Sequence, residues 1–192
     1  MKNILLIFGH PNKKSFCDAL MQEYIKGVSE SHNNLKLLYL TDMKFNKILE
    51  FGYSGLQELE PDLINAQLLI KWADHLVFVY PNWWYTQPAL LKAFIDRVLL
   101  PDFAFKYSKT LNGIKHEKLL INKSASLIVT MDTPVWYYKF ILGDPGYKMM
   151  NNSLDFCGIK LVDKYYFGPI ISSTEEQRNK WLKEIYNAGI NL

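Results

Sequence analysis

Short apolar runs alternate with helix-patterned segments along this chain, and that alternation restricts its fold more than any other feature. Asn3 to Phe8 is a continuous apolar run ended by Gly9-His10-Pro11, as expected of a strand covered on both faces. Leu35 to Leu40, His75 to Tyr80, Ser126 to Thr130 and a stretch within Lys160 to Phe167 read as four further strands. Between them, Phe16, Leu20, Tyr24 and Val28 recur at helical spacing behind an N-cap at Ser15. Pro61 opens a helix to about Ala73. Pro88 starts another, with Leu91, Phe94, Ile95 and Val98 on one face and Lys92 placed to pair with Asp96. A helix over about Tyr147 to Phe156 follows. Ser173-Thr174-Glu175-Glu176 fits a capping box opening the last helix, with Trp181, Leu182 and Ile185 inward. Strands separated by helices imply an α/β fold with a doubly wound parallel sheet. Five such units suit the order 2-1-3-4-5 better than a six-stranded set. Thr41 to Glu60 shows no period, so it reads as a long functional loop or a missed element. No linker or repeat interrupts residues 1–192, and a single domain is expected.

Composition narrows the function. The net charge is +3 with the basic residues scattered, which does not make a nucleic-acid footprint. Cys17 and Cys157 are the two thiols and have neither redox-motif nor zinc spacing; His10, His32, His75 and His116 lack metal-ligand spacing too. The apolar start is short and unlike a signal peptide, and no run is long enough to span a bilayer. A cytoplasmic protein without membrane insertion is the expectation. Aromatic residues are abundant: five Trp, twelve Tyr and eleven Phe. They suit a core, an interface or a ring-binding cleft.

In an open parallel sheet, ligands bind beyond the carboxyl ends of the strands, where the strand order reverses. For order 2-1-3-4-5 that point lies between the first and third strands. The two least ordinary segments follow those strands: Gly9-His10-Pro11-Asn12-Lys13-Lys14-Ser15-Phe16 and Pro81-Asn82-Trp83-Trp84-Tyr85-Thr86-Gln87-Pro88. The first runs into a helix N-terminus, where unpaired amides and the dipole favour a phosphate; it also suits a plain capped helix start. The second, with aromatics between prolines, suits a flat ring, or equally core or dimer packing. Cys17 near the helix start suits either a lowered pKa or a small residue in a tight site. No glycine-rich dinucleotide fingerprint, P-loop or nucleophile elbow is present.

Both loops resemble those of the flavodoxin-like NAD(P)H:quinone oxidoreductases. The first likeness runs through Gly9-His10-Pro11, Ser15-Phe16 and Ala19-Leu20. The second runs through Tyr80 to Tyr85 and Pro88-Ala89, then Leu91-Lys92 and Phe94 to Val98, with Phe103-Ala104-Phe105 and Phe156-Cys157-Gly158 as further landmarks. The resemblance implies a flavodoxin-like flavoprotein, a homodimer that reduces quinones or similar electron-poor aromatics by two-electron, ping-pong hydride transfer. It implies FAD or FMN as cofactor and NAD(P)H as donor. By position, His10, Ser15, Phe16 and Cys17 would hold the phosphate portion. Pro81, Asn82, Trp83, Trp84 and Tyr85 would border the ring, and Thr130, Met131, Asp132 and Thr133 would close its far edge. Tyr137 corresponds to an active-site tyrosine; Phe103, Phe105, Trp136 and Tyr138 would line the substrate slot, in part from a neighbouring subunit. This sequence departs from the family pattern at Cys17, at Met131-Asp132-Thr133-Pro134, and at Leu142-Gly143-Asp144, where a relay histidine would stand. A one-electron flavodoxin-type carrier and a regulatory ancillary subunit of a potassium-efflux system are the alternatives.

Overall fold

The computed structural model describes residues 1–55, 57–110 and 113–192. In chain order its elements are β1 (Asn3–Phe8), α1 (Phe16–Glu30), β2 (Asn34–Tyr39), α2 (Pro61–Trp72), β3 (His75–Pro81) and α3 (Ala89–Val98). Then come β4 (Phe105–Thr110), β5 (Gly113–Lys118), β6 (Lys123–Thr130), one π-helical turn (Tyr137–Ile141), α4 (Pro145–Cys157), β7 (Ile159–Phe167) and α5 (Glu175–Ile190). Five strands form one parallel sheet in the order β2-β1-β3-β6-β7. The expected order 2-1-3-4-5 did not allow for β4 and β5, which pair with each other as an antiparallel hairpin apart from the main sheet. Their exposed, lysine-rich sequence carries little apolar alternation, so periodicity did not reveal them.

The central strands are mostly apolar because both faces are covered. Leu5, Ile7, Leu76, Phe78, Leu127 and Val129 pack in the core with residues of α2, α3 and α4. Their sequence neighbours Ile4, Leu6, Phe8, Val77, Val79 and Ile128 pack with residues of α1 and α5. Those two helices cross with backbones in near contact: a Cβ on Gly27 would lie 2.1 Å from the Tyr186 carbonyl oxygen. The last helix is capped by Thr174, one residue later than expected, with Gln177 completing the reciprocal pair.

His75 opens β3, wholly buried, with Nδ1 2.7 Å from Ser124 Oγ and Nε2 3.0 Å from Ser126 Oγ. Burial, helped by the charge of Lys2, pushes its pKa down to about 4. The unfolded chain therefore binds a proton that the native state refuses as pH falls from about 6.5 to 4. Stability should drop by about 3 kcal/mol across that window and be insensitive to this group above it. Urea titrations at pH 7 and pH 4.5 check this: His75→Gln should flatten the dependence, and an equally steep one in that variant would reject the assignment.

Candidate functional site

The segments after β1, β3 and β6 meet at one cleft of ≈250 Å³ at the carboxyl ends of the strands. His10, Ser15, Phe16 and Cys17 come from the first, Pro81, Asn82 and Trp83 from the second, and Thr130, Met131 and Asp132 from the third. Ile170, just past β7, adds a wall that sequence reasoning missed. Gly168-Pro169 before it marks only a turn.

Ser15 is the N-cap of α1, and its hydroxyl accepts from Asp18 N at 3.4 Å. The Phe16 and Cys17 amides have no acceptor among the described residues, so the helix tip offers free N–H groups and the positive end of its dipole. The Nδ1 of His10 accepts from Asn12 N at 2.9 Å, which leaves Nε2 as the proton-bearing nitrogen of the neutral ring. Burial lowers the His10 pKa, so the ring is a neutral donor at pH 7. Cys17 is buried with Sγ 3.0 Å from Thr130 Oγ1, and burial pushes its thiol up to about 12. The lowered-pKa reading of Cys17 is therefore overturned; it is a small neutral group in the floor.

The second loop is a tight turn. Trp83 and Thr86 exchange backbone hydrogen bonds of 2.9 and 3.0 Å, and the two residues between them, Trp84 and Tyr85, have φ of 51° and 65°. Positive φ at both central positions is the mark of a type I′ turn, normally filled by Asn-Gly. Holding two aromatic residues there costs about 1 kcal/mol or more each. The Trp84 and Tyr85 amides have no acceptor among the described residues. Tyr138 braces the turn from behind: its hydroxyl donates to Tyr85 O at 3.1 Å and accepts from Gly146 N at 2.9 Å.

Several expected positions fall elsewhere. The Trp83 ring faces the cleft, 5.6 Å from His10, whereas Trp84 is 93% exposed and Tyr85 is half exposed. Neither they nor Thr133 line the cleft. Tyr138 is buried and occupied as a brace, so it is no slot residue. Tyr137, its neighbour on the π-helical turn, is partly exposed, and Trp136 stands largely in solvent. Phe103 is buried in the core. Phe105 lines a different groove of ≈570 Å³ with Tyr53, Ile95, Tyr107 and Phe156. Within one chain, then, the phosphate and ring loops converge, and the expected substrate aromatics do not join them.

A family model described as a flavodoxin-like fold matches residues 2–188. The chain belongs to this family. An NAD(P)H oxidoreductase of Haemophilus influenzae is 34% identical over 176 residues, 88% of this chain and 84% of the relative. Human ribosyldihydronicotinamide dehydrogenase [quinone] is 30% identical, covering 92% of this chain and 86% of its own. The solved NAD(P)H:quinone oxidoreductase of Methanothermobacter marburgensis shares the fold, with a TM-score of 0.80 at 24% identity over 99% of this chain and 98% of that one. The free helix tip and the braced aromatic turn flank the strand-order reversal between β1 and β3. Among the described residues no helix is long and apolar enough to cross a membrane.

Proposed function

We propose that this chain is a flavin-binding domain that uses NAD(P)H to reduce quinones or similar electron-poor aromatics. One observation carries the reading: an anion-ready helix tip and Trp83, the first residue of the aromatic turn, line the same cleft, and the two free amides of that turn follow Trp83 directly. The names of the relatives agree with it. The residues fit a flavin mononucleotide portion. Phe16 and Cys17 N–H, Ser15 Oγ and His10 Nε2–H would receive the phosphate and ribitol oxygens. Trp83 would cover the ring, and the Trp84 and Tyr85 amides would donate to its polar edge. When bound, the flavin supplies the two-electron chemistry; the chain orients it and excludes water.

Tyr137, partly exposed on the π-helical turn, would donate a proton to a substrate oxygen. The aromatic groove at Phe105 and the exposed Trp84, Trp136 and Phe140 favour a homodimer, in which a second subunit covers the ring face and completes the slot.

The test is direct. The purified protein should carry or bind FMN or FAD with a flavin spectrum, and oxidise NADH or NADPH faster with menadione present. Trp83→Ala should raise the flavin Kd about tenfold or more, as the loss of one ring stack does. Trp84→Ala should weaken self-association more than flavin binding. Protein that titrates with neither flavin would end the proposal.

A further inference from the structure

The sheet face covered by α1 and α5 opens at one place into a polar cleft of ≈370 Å³. Tyr24 and Ser126 line it from α1 and β6, Asp163 and Tyr165 from β7, and Glu184 and Asn187 from α5. None of them lines the cofactor cleft.

A β-bulge builds this wall. Ile159 and Leu161 pack in the core beneath α4, whereas Tyr165 and Phe167 pack with α1 and α5. Strict alternation would hold these four odd-numbered positions on one face. The register slips between Ala125 and Ser126: Ala125 pairs with Leu161 and Ser126 with Asp163, leaving Val162 as the extra residue. Every later side chain changes face, and Asp163 turns toward α5 instead of α4.

The lining offers acceptors and negative charge. No Lys, Arg or His lines the cleft among the described residues; Lys2, at the rim, donates to Leu192 O at 2.9 Å. The decisive group is Tyr24, 1% exposed, which faces the cleft while its hydroxyl has no hydrogen-bond partner among the described residues. Its oxygen is not among the fully enclosed unpartnered atoms, so it opens onto the cleft, where a ligand donor can meet it. Asp163 and Glu184 line the cleft together with Tyr165, whose hydroxyl is held above its usual pKa by burial, then by these two carboxylates.

We propose that this cleft binds a small organic cation bearing primary ammonium groups, held by Asp163 and Glu184 with Tyr24, Ser126 and Asn187 accepting further N–H bonds. An ammonium has three donors and no acceptor, which matches this lining. An anion would meet two carboxylates. A bare metal would find no cluster of three ligating side chains among the described residues. The site uses no part of the cofactor cleft and does not depend on the flavin reading.

Calorimetry on the full chain at fixed ionic strength tests it, with 1,4-diaminobutane as probe and 1,4-butanediol, MgCl₂ and KCl as comparison arms. The diamine should bind saturably at one site, and the diol should not bind. Asp163→Asn combined with Glu184→Gln should weaken binding about tenfold, the loss expected of two exposed ion pairs. Tyr24→Phe should weaken it about fivefold with the fold intact. All three changes should leave flavin binding untouched. A diamine signal reproduced by KCl, unchanged affinity in the double variant, or Mg²⁺ binding tighter than the diamine would each overturn the proposal.

Discussion

Gly146→Ala should strip the protein of most of its flavin affinity while leaving it folded. The position sits in the first turn of α4, where alanine is conformationally welcome. The obstacle is space: a Cβ there would lie 2.5 Å from Tyr138 Oη and 3.0 Å from the Tyr85 carbonyl oxygen. Neither can step aside cheaply, because Tyr138 is buried and Tyr85 O belongs to the strained turn. Overpacking of this kind costs about 1–3 kcal/mol, and here it falls on the turn that presents the Trp84 and Tyr85 amides. If half or more of that cost appears in binding, the flavin Kd rises about tenfold or more. Tyr138→Phe attacks the same brace by another route, leaving Gly146 N–H and Tyr85 O without their partner. The double variant separates this account from general damage. Phenylalanine lacks the oxygen that the new methyl strikes, so the double variant should be less impaired than the sum of the singles. Flavin titration and urea unfolding on all four proteins give the cycle. Strictly additive losses, or Gly146→Ala with normal flavin affinity, would sink it. Burial keeps the Tyr138 hydroxyl protonated, its pKa pushed up to about 12, so the brace should hold across neutral pH.

That brace also shows where sequence reading stops. The loop after β3 was legible because its aromatics contradict ordinary turn chemistry, the loop after β1 because it runs into a capped helix start, and strand order alone told where they meet. Which face of each aromatic is used was not legible. Trp83 and Trp84 are adjacent and chemically alike, yet a left-handed turn sends one ring into the cleft and the other into solvent. Tyr137 and Tyr138 differ in the same way, because the π-helical turn buries one and leaves the other partly exposed. The bulge at Val162 was hidden too, since a one-residue slip leaves composition unchanged and alters only which face the later residues reach. The hairpin β4–β5 escaped because its strands are mostly solvated and stand apart from the main sheet.

The second large effect is expected at Arg97, and it explains the aperiodic stretch from 41 to 60. Arg97 is fully buried, on the last turn of α3. Its Nη1 donates to Asn46 O at 2.5 Å, and its Nη2 donates to Glu60 Oε2 at 2.8 Å and to Glu58 O at 3.3 Å. Glu60 Oε1 in turn accepts from Asn46 N at 2.7 Å. One guanidinium thus ties Asn46 to Glu58 and Glu60 across a loop of which, among the described residues, only Met43 and Phe45 are buried hydrophobics, with Leu59 partly buried and Ile48, Phe51 and Tyr53 exposed. Hydrophobic periodicity cannot reveal a segment ordered by hydrogen bonds to a single side chain in another element. Arg97→Met should cost about 3 kcal/mol, near the lower end for breaking a buried pair because Glu60 can rehydrate. Arg97→Lys should recover little, since one ammonium cannot span acceptors that a planar fork reaches. Adding Glu60→Gln to Arg97→Met should return part of the loss by removing the stranded charge. The damage should also be local at first. Amide exchange should quicken in 41–60 before the sheet is affected, and Tyr53, which this loop sets on the aromatic groove, should lose its place. Self-association through that groove should therefore weaken in Arg97→Met at temperatures where the sheet remains intact. An Arg97→Met protein with an unchanged urea midpoint and unchanged loop exchange would show that packing, and not the guanidinium, orders the segment.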